Sequence, residues 1–183
     1  RADYKASGLR PIAWVDGLAR GRSLGRAILM RGDHVPLAEL PRGRSPRDEL
    51  AEGVGPSIPV DAPPFLLGPL SISAFNALYY AAGRDGTSLS GFGSFFFPLD
   101  AIGAWNRLYG RRGFVQYQAL LPREAAAEGC RLLLEEISRE RAASFLAVLK
   151  TTGPEGRGLL SFPRPGVTLG LVEGVSTRFN DFR

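Results

Sequence analysis

The chain has 183 residues, a formal charge of +5 and 44% apolar residues, enough to bury one full core or two small ones. No stretch approaches the roughly 20 consecutive apolar residues that a spanning helix needs, and 23 Lys+Arg against 18 Asp+Glu is a mild preference for anions, not a nucleic-acid footprint. One cysteine and one histidine exclude an internal disulfide, an ordinary zinc module and any Ser-His-Asp hydrolase that does not use His34.

The chain opens on Arg1-Ala2-Asp3-Tyr4 with neither an initiator methionine nor an apolar leader, and it is expected to be a piece of a longer protein. The run from Leu9 to Asp16 predicts a strand, with Pro11 near its start and Ile12, Trp14 and Asp16 on one face. A basic connection with Arg20, Arg22 and Arg26 leads to a second strand at Ala27-Ile28-Leu29-Met30. Between Asp33 and Pro64, recurrent prolines interleaved with charges predict a long loop, either a functional lid or a linker. Helical spacing of Ile72, Phe75 and Tyr79 predicts a helix over 71–80, with Gly83 as its C-terminal cap. Ser90 to Phe97 reads as an extended segment or buried turn, and Leu99 to Tyr109 holds one short helix.

Phe114 to Leu121 is the clearest strand. Its alternation puts Gln116 and Gln118 on one face with Phe114 and Leu120, while Val115, Tyr117, Ala119 and Leu121 pack under a helix. That helix runs from Glu124 to Arg139, with Cys130, Leu133, Leu134 and Ile137 along one stripe, and Cys130 reads as buried, not reactive. Strands follow at Phe145 to Thr151 and Gly166 to Val172. The series strand, helix, strand, strand is half of a ferredoxin-like unit, so the expected fold is α+β, an antiparallel sheet with helices on one face.

Two carboxamides side by side on a strand offer paired donors and acceptors suited to a polyhydroxylated ligand or a heterocycle edge. Lys150, at the end of Phe145-Leu146-Ala147-Val148-Leu149-Lys150, adds an ammonium if adjacent strands bring it to the same cavity. The plainer alternatives are a sheet with one wet face and a lysine that snorkels to water. Trp14, Trp105 and Phe95, Phe96 and Phe97 read first as core, with a flat-walled pocket as the lesser reading. Gly91-Phe92-Gly93 lacks the third glycine of a dinucleotide fingerprint.

The strings Phe97-Pro98-Leu99-Asp100, Trp105-Asn106-Arg107-Leu108-Tyr109-Gly110 and Gly113-Phe114-Val115-Gln116-Tyr117-Gln118 resemble FAD-dependent oxidases of the vanillyl-alcohol-oxidase type. The likeness is to the branch acting on sugars, aldonolactones and polyprenyl-phospho-ribose. Ile12-Ala13-Trp14-Val15-Asp16, Leu24-Gly25-Arg26, Phe145 to Lys150 and Leu160 to Gly166 look like further blocks of it. The resemblance implies that residues 1–183 are a single substrate-binding (cap) domain, with the FAD-binding domain and the C-terminal end absent and a flexible segment at about 33–64.

It also implies hydride transfer from a CH–OH group to flavin. Gln116, Gln118 and Lys150 would face substrate and flavin, Trp14 would form part of the wall, and Phe96 and Gly170 would stand where the ribose oxidases have a tyrosine and a flavin-side cysteine. The implied cofactor is FAD and the implied partner a sugar or lipid-linked sugar, with no nucleic acid. The expected location is cytoplasmic, with peripheral membrane contact for a lipid-linked substrate, and the chain alone should be catalytically silent. A rival reading is a free-standing module that binds an anion through Arg20, Arg22 and Arg26; another is an interaction domain without catalysis.

Overall fold

The computed structural model describes residues 10–43, 55–91, 95, 99, 102–142, 144–161 and 164–175. Five strands form one fully antiparallel sheet: β1 (Arg10–Val15), β2 (Ala27–Gly32), β3 (Phe114–Pro122), β4 (Leu146–Thr152) and β5 (Gly166–Gly174), in the spatial order β2-β1-β4-β5-β3. The predicted strands are present, each shifted by one or two residues at its ends. β3 and β4 run parallel with β5 between them, which is the split β-α-β half of a ferredoxin-like unit; β1 and β2 then extend the sheet beyond β4.

The main hydrophobic cluster lies on one face. Ala13, Val15, Ala147, Leu169 and Leu171 project from it and meet Leu134 and Ile137 of α2 (Ala126–Glu140). Those two helix residues stand three apart, on the stripe that the sequence predicts, with Cys130 and Leu133 half-buried beside them. Tyr117 departs from the expectation that its face of β3 is covered. It stays 54% exposed, because β3 is an edge strand and α2 reaches it only where Gly129 meets Leu121.

The antiparallel α+β class is as expected, but the helices divide between the two faces. α1 (Pro69–Ala82) lies against the opposite face, at the end of the sheet where β1 finishes. Its Tyr79 ring sits 4.8 Å from Trp14, and Asn76 Nδ2 donates to Asp16 Oδ1 at 2.9 Å and to the Ser144 carbonyl at 3.3 Å. The physical reason is composition. α1 carries no charged side chain and turns aromatic rings toward Trp14, whereas the face above Ala13 is already filled by α2. Gly83 does end α1, but in extended backbone (φ −59°, ψ 134°), not the left-handed cap expected of glycine; a Cβ there would meet Ile28 Cδ1 at 3.1 Å, so close approach explains the residue.

The predicted loop is irregular where described, with 3₁₀ turns at Leu37–Glu39 and Pro64–Leu67 and a bridge between Ser57 and Gly103. The helix expected in 99–109 is a 3₁₀ turn at Trp105–Tyr109. Phe96, most of the 90–97 segment and most of 97–101 lie outside the described residues.

Glu173, near the end of β5, opposes Val115 on the α2 face, and burial raises its carboxyl above the usual range. A folded-state pKa above the unfolded one means that the carboxylate weakens the fold at neutral pH, and that this cost is relieved as pH falls through the raised value. Glu173→Gln is therefore expected to raise the denaturation midpoint at pH 7, with the advantage gone in acid. Urea unfolding at the two pH values checks it.

Candidate functional site

The Trp14 face is divided into a closed and an open half. At the end where β3 begins, ring contacts run without a break from Trp14 through Tyr79, Phe75, Phe145, Tyr109 and Phe114 to Trp105, with centroids 4.8–6.2 Å apart. Such ring contacts pack flat hydrocarbon faces against one another, with Trp14 and Tyr109 buried while Phe75 and Tyr79 stay partly open to solvent. Trp14 Nε1 donates to the Phe145 carbonyl at 3.0 Å, so the buried indole is held in one orientation. Burial pushes the Tyr109 phenol up to about 12, leaving it neutral across the physiological range.

The other half holds the polar side chains. One row across the sheet is Gln118, Gly170, Val148, Trp14 and Ile28, and the next is Leu120, Thr168, Lys150, Ile12 and Met30. Gln116, one row toward the aromatic end, faces Val172; its Nε2 donates to Gln118 Oε1 at 3.4 Å, which aligns the two carboxamides. Successive residues of a strand alternate faces, so all of these side chains project to the same side as Trp14.

Gln116, Gln118, Lys150, Trp14 and Gly170 thus share a face, as their parity predicts. The expectation that adjacent strands carry the amides and the lysine is corrected: β5 stands between β3 and β4. With strands ~4.8 Å apart and a rise of ~3.4 Å per residue, the Cα atoms of Lys150 and Gln118 are about 12 Å apart, a span that leaves room for a ring between two long side chains.

What lies between them decides the shape. Gly170 contributes no side chain, and a Cβ built there meets only the Val148 carbonyl oxygen, at 3.9 Å. The floor of the hollow is therefore bare backbone. Beside it Thr168 is 2% exposed, and among the described residues its Oγ1 has no hydrogen-bond partner. A buried hydroxyl without a partner costs about 1–3 kcal/mol, and this one is enclosed by protein atoms, not open to the face. Lys150 and both glutamines are exposed, and Lys150 makes no ion pair or hydrogen bond with a described residue. At the β2 edge, Gly32 admits the ring of Phe95, whose Cζ is 2.6 Å from where a Cβ would stand.

Thr168 was not among the residues that the sequence singles out. The available signal was parity: it lies two positions from Gly170 on the same strand and so shares its face.

The basic connection has different work. Asp16, 2% exposed, accepts from Arg26 Nε at 2.8 Å, from the Leu18 amide at 3.0 Å and from Asn76, while the Arg26 guanidinium stacks 5.2 Å above the Tyr80 ring. Arg20 donates to the Ser138 carbonyl in the last turn of α2. Two of the three arginines of the anion-module reading are therefore engaged in holding the connection to α1 and α2. His34 is exposed, and among the described residues no cluster of His, Cys, Asp and Glu suits a metal ion.

Two cavities lie elsewhere. A cleft of about 470 Å³ opens among Asp61, Asn106, Arg111 and Phe114, and an apolar one of about 300 Å³ lies on the α2 face beside Cys130, whose thiol burial pushes up. Neither includes the candidate residues. The Gly170 face brings together an exposed ammonium and two exposed carboxamides around a residue without a side chain.

The groups present fit a flat, polar-edged ring such as a flavin with a hydroxylated ligand beside it. Bare backbone at Gly170 permits close approach, and the exposed carboxamides match a heterocycle edge.

No protein-family model matches the chain. Over 157 residues, 84% of the chain, it is 34% identical to the decaprenylphosphoryl-β-D-ribose oxidase of Mycolicibacterium smegmatis, of which it covers 34%. Over 176 residues, 87% of the chain, it is 30% identical to an uncharacterised protein of the mprA 5′ region of Streptomyces coelicolor, covering 45% of it. The chain spans less than half the length of either relative. Over most of its own length, it is homologous to an oxidase whose name specifies a ribose linked to a polyprenyl phosphate.

Proposed function

We propose that this chain is the substrate-binding part of an FAD-dependent oxidoreductase that oxidises a CH–OH group of a sugar, aldonolactone or polyprenyl-phospho-ribose. The observation that carries the reading is the grouping of Gln116, Gln118 and Lys150 around the bare backbone of Gly170 on one face of the sheet. The homology to an oxidase supports the reaction class.

When bound, flavin would supply the two-electron acceptor for a hydride. The residues of this chain bind and orient. Lys150 presents three donors to a hydroxyl or phosphate oxygen of the substrate, and charge assistance makes these its strongest contacts. Gln118 and Gln116 use the amide atoms left over from their mutual hydrogen bond to fix the ring edge above them. The aromatic wall from Trp14 to Trp105 bounds one end and limits the orientations open to the substrate.

The experiment is anaerobic. The full-length natural protein that contains this sequence is mixed with a polyol, an aldonolactone and a polyprenyl-phospho-ribose in turn, and flavin absorbance is followed. Bleaching by one of the three supports the reading, and none by all three counts against it.

Thr168→Val is expected to stabilise the ligand-free protein by about 1 kcal/mol, because it removes a buried hydroxyl that has no partner among the described residues; thermal unfolding checks it.

A further inference from the structure

The β4–β5 connection carries a feature that the site does not use. Leu159 and Leu160 are 104% and 97% exposed, side by side between Gly158 and Ser161. Isolated exposed leucines are ordinary, but two adjacent ones held fully in water are a cost that a folded domain avoids unless they meet something. The loop is not slack. The Gly156 amide donates to Ser161 Oγ at 2.7 Å, the Ser161 amide to the Gly158 carbonyl at 3.1 Å and Thr152 Oγ1 to the Arg164 carbonyl at 2.6 Å, so the leucines are fixed at a closed tip.

Arg157 and Arg164 flank them, both exposed and neither side chain bonded to a described residue; Glu155 is the single acid nearby. The loop springs from the end of β4 two residues beyond Lys150 and returns into β5 two residues before Thr168. It therefore lies at the end of the sheet away from the aromatic wall, next to Lys150.

We propose that this tip is the protein's contact with an anionic lipid bilayer, Leu159 and Leu160 entering the acyl boundary while Arg157 and Arg164 meet headgroup phosphates. A convex pair of leucines with cations behind it matches the layering of a bilayer, apolar beneath and anionic above, and offers no groove or flat ledge for a partner protein. The inference rests on the reading of the site as one for a lipid-linked sugar. A polyprenyl chain attached to a ligand near Lys150 leaves the hollow past this loop and stays in the membrane, while the sugar reaches the floor.

The test is co-sedimentation of the purified chain, and of the full-length protein, with vesicles of phosphatidylcholine alone or with phosphatidylglycerol added. Binding is expected to the anionic vesicles, to fall with salt, to drop about fivefold for each of Arg157→Ala and Arg164→Ala, and to vanish for Leu159→Glu with Leu160→Glu. The loop is solvent-exposed, so these variants should melt with the wild type; melting curves verify that. No sedimentation of the wild type, or undiminished sedimentation of the double glutamate variant, overturns the proposal. Flavin reduction by a water-soluble, short-chain phospho-ribose separates the two claims. If the full-length protein is bleached by it yet ignores vesicles, the lipid contact falls and the site stands; if vesicles are bound and no substrate bleaches the flavin, the site reading falls.

Discussion

Lys150→Met in the full-length protein is expected to lower kcat/KM for flavin reduction about 100-fold, the scale of one or two charge-assisted hydrogen bonds. Methionine keeps the apolar stem that runs along β4 and removes only the ammonium. Because Lys150 is exposed and makes no ion pair with a described residue, its loss should change stability by less than about 0.5 kcal/mol. The two effects are separable for that reason. A variant that melts like the wild type but fails to reduce flavin assigns the ammonium to the substrate, whereas one with wild-type rates makes Lys150 a lysine that merely reaches for water.

Asp16→Ala is expected to be the most damaging single change to the fold, at about 3 kcal/mol, or a fall of about 10 °C in Tm for a domain of this size. The carboxylate lies at the junction of three elements: it holds Arg26 at 2.7 Å before β2, the Leu18 amide after β1 and Asn76 in α1. Its removal leaves Asn76 Nδ2 with the Ser144 carbonyl, beside an Oδ1 that has no partner among the described residues. Since α1 carries Tyr79 and Phe75 of the aromatic wall, the site should loosen with it. Asp16→Asn, which retains acceptors for the amide and for Asn76, should cost about half as much. Thermal unfolding of the two variants by circular dichroism decides it, and a shift of only 1–2 °C for Asp16→Ala would show that the network does not hold α1.

Much of this was legible in the chain because strand parity is strict. The alternation in 114–121 assigned Gln116 and Gln118 to one face, and the same rule applied to 145–150 gave Lys150 the face of Leu146 and Val148. Parity within a strand says nothing of strand order, however. The insertion of β5 between β3 and β4 is a long-range choice, and it is that choice that brings Gly170 and Thr168 into the middle of the site. The placement of α1 was equally hidden: periodicity found the helix, but its nearly uniform apolarity gave no face to orient, and only its packing on Trp14 tells which side of the sheet it covers. The arginines of the 17–26 connection look alike in sequence, and their different partners appear only in three dimensions.

The central claim, that the hollow over Gly170 receives the reacting pair, is tested most directly by filling it. Gly170 has a backbone that any residue adopts and open space before it, so Gly170→Leu should fold and melt close to the wild type. In the full-length protein under anaerobic conditions, the account predicts that the leucine variant fails to bleach flavin with a substrate that bleaches the wild type. Bleaching at the wild-type rate and with the wild-type KM would contradict it, for it would mean that the chemistry takes place away from this face of the sheet.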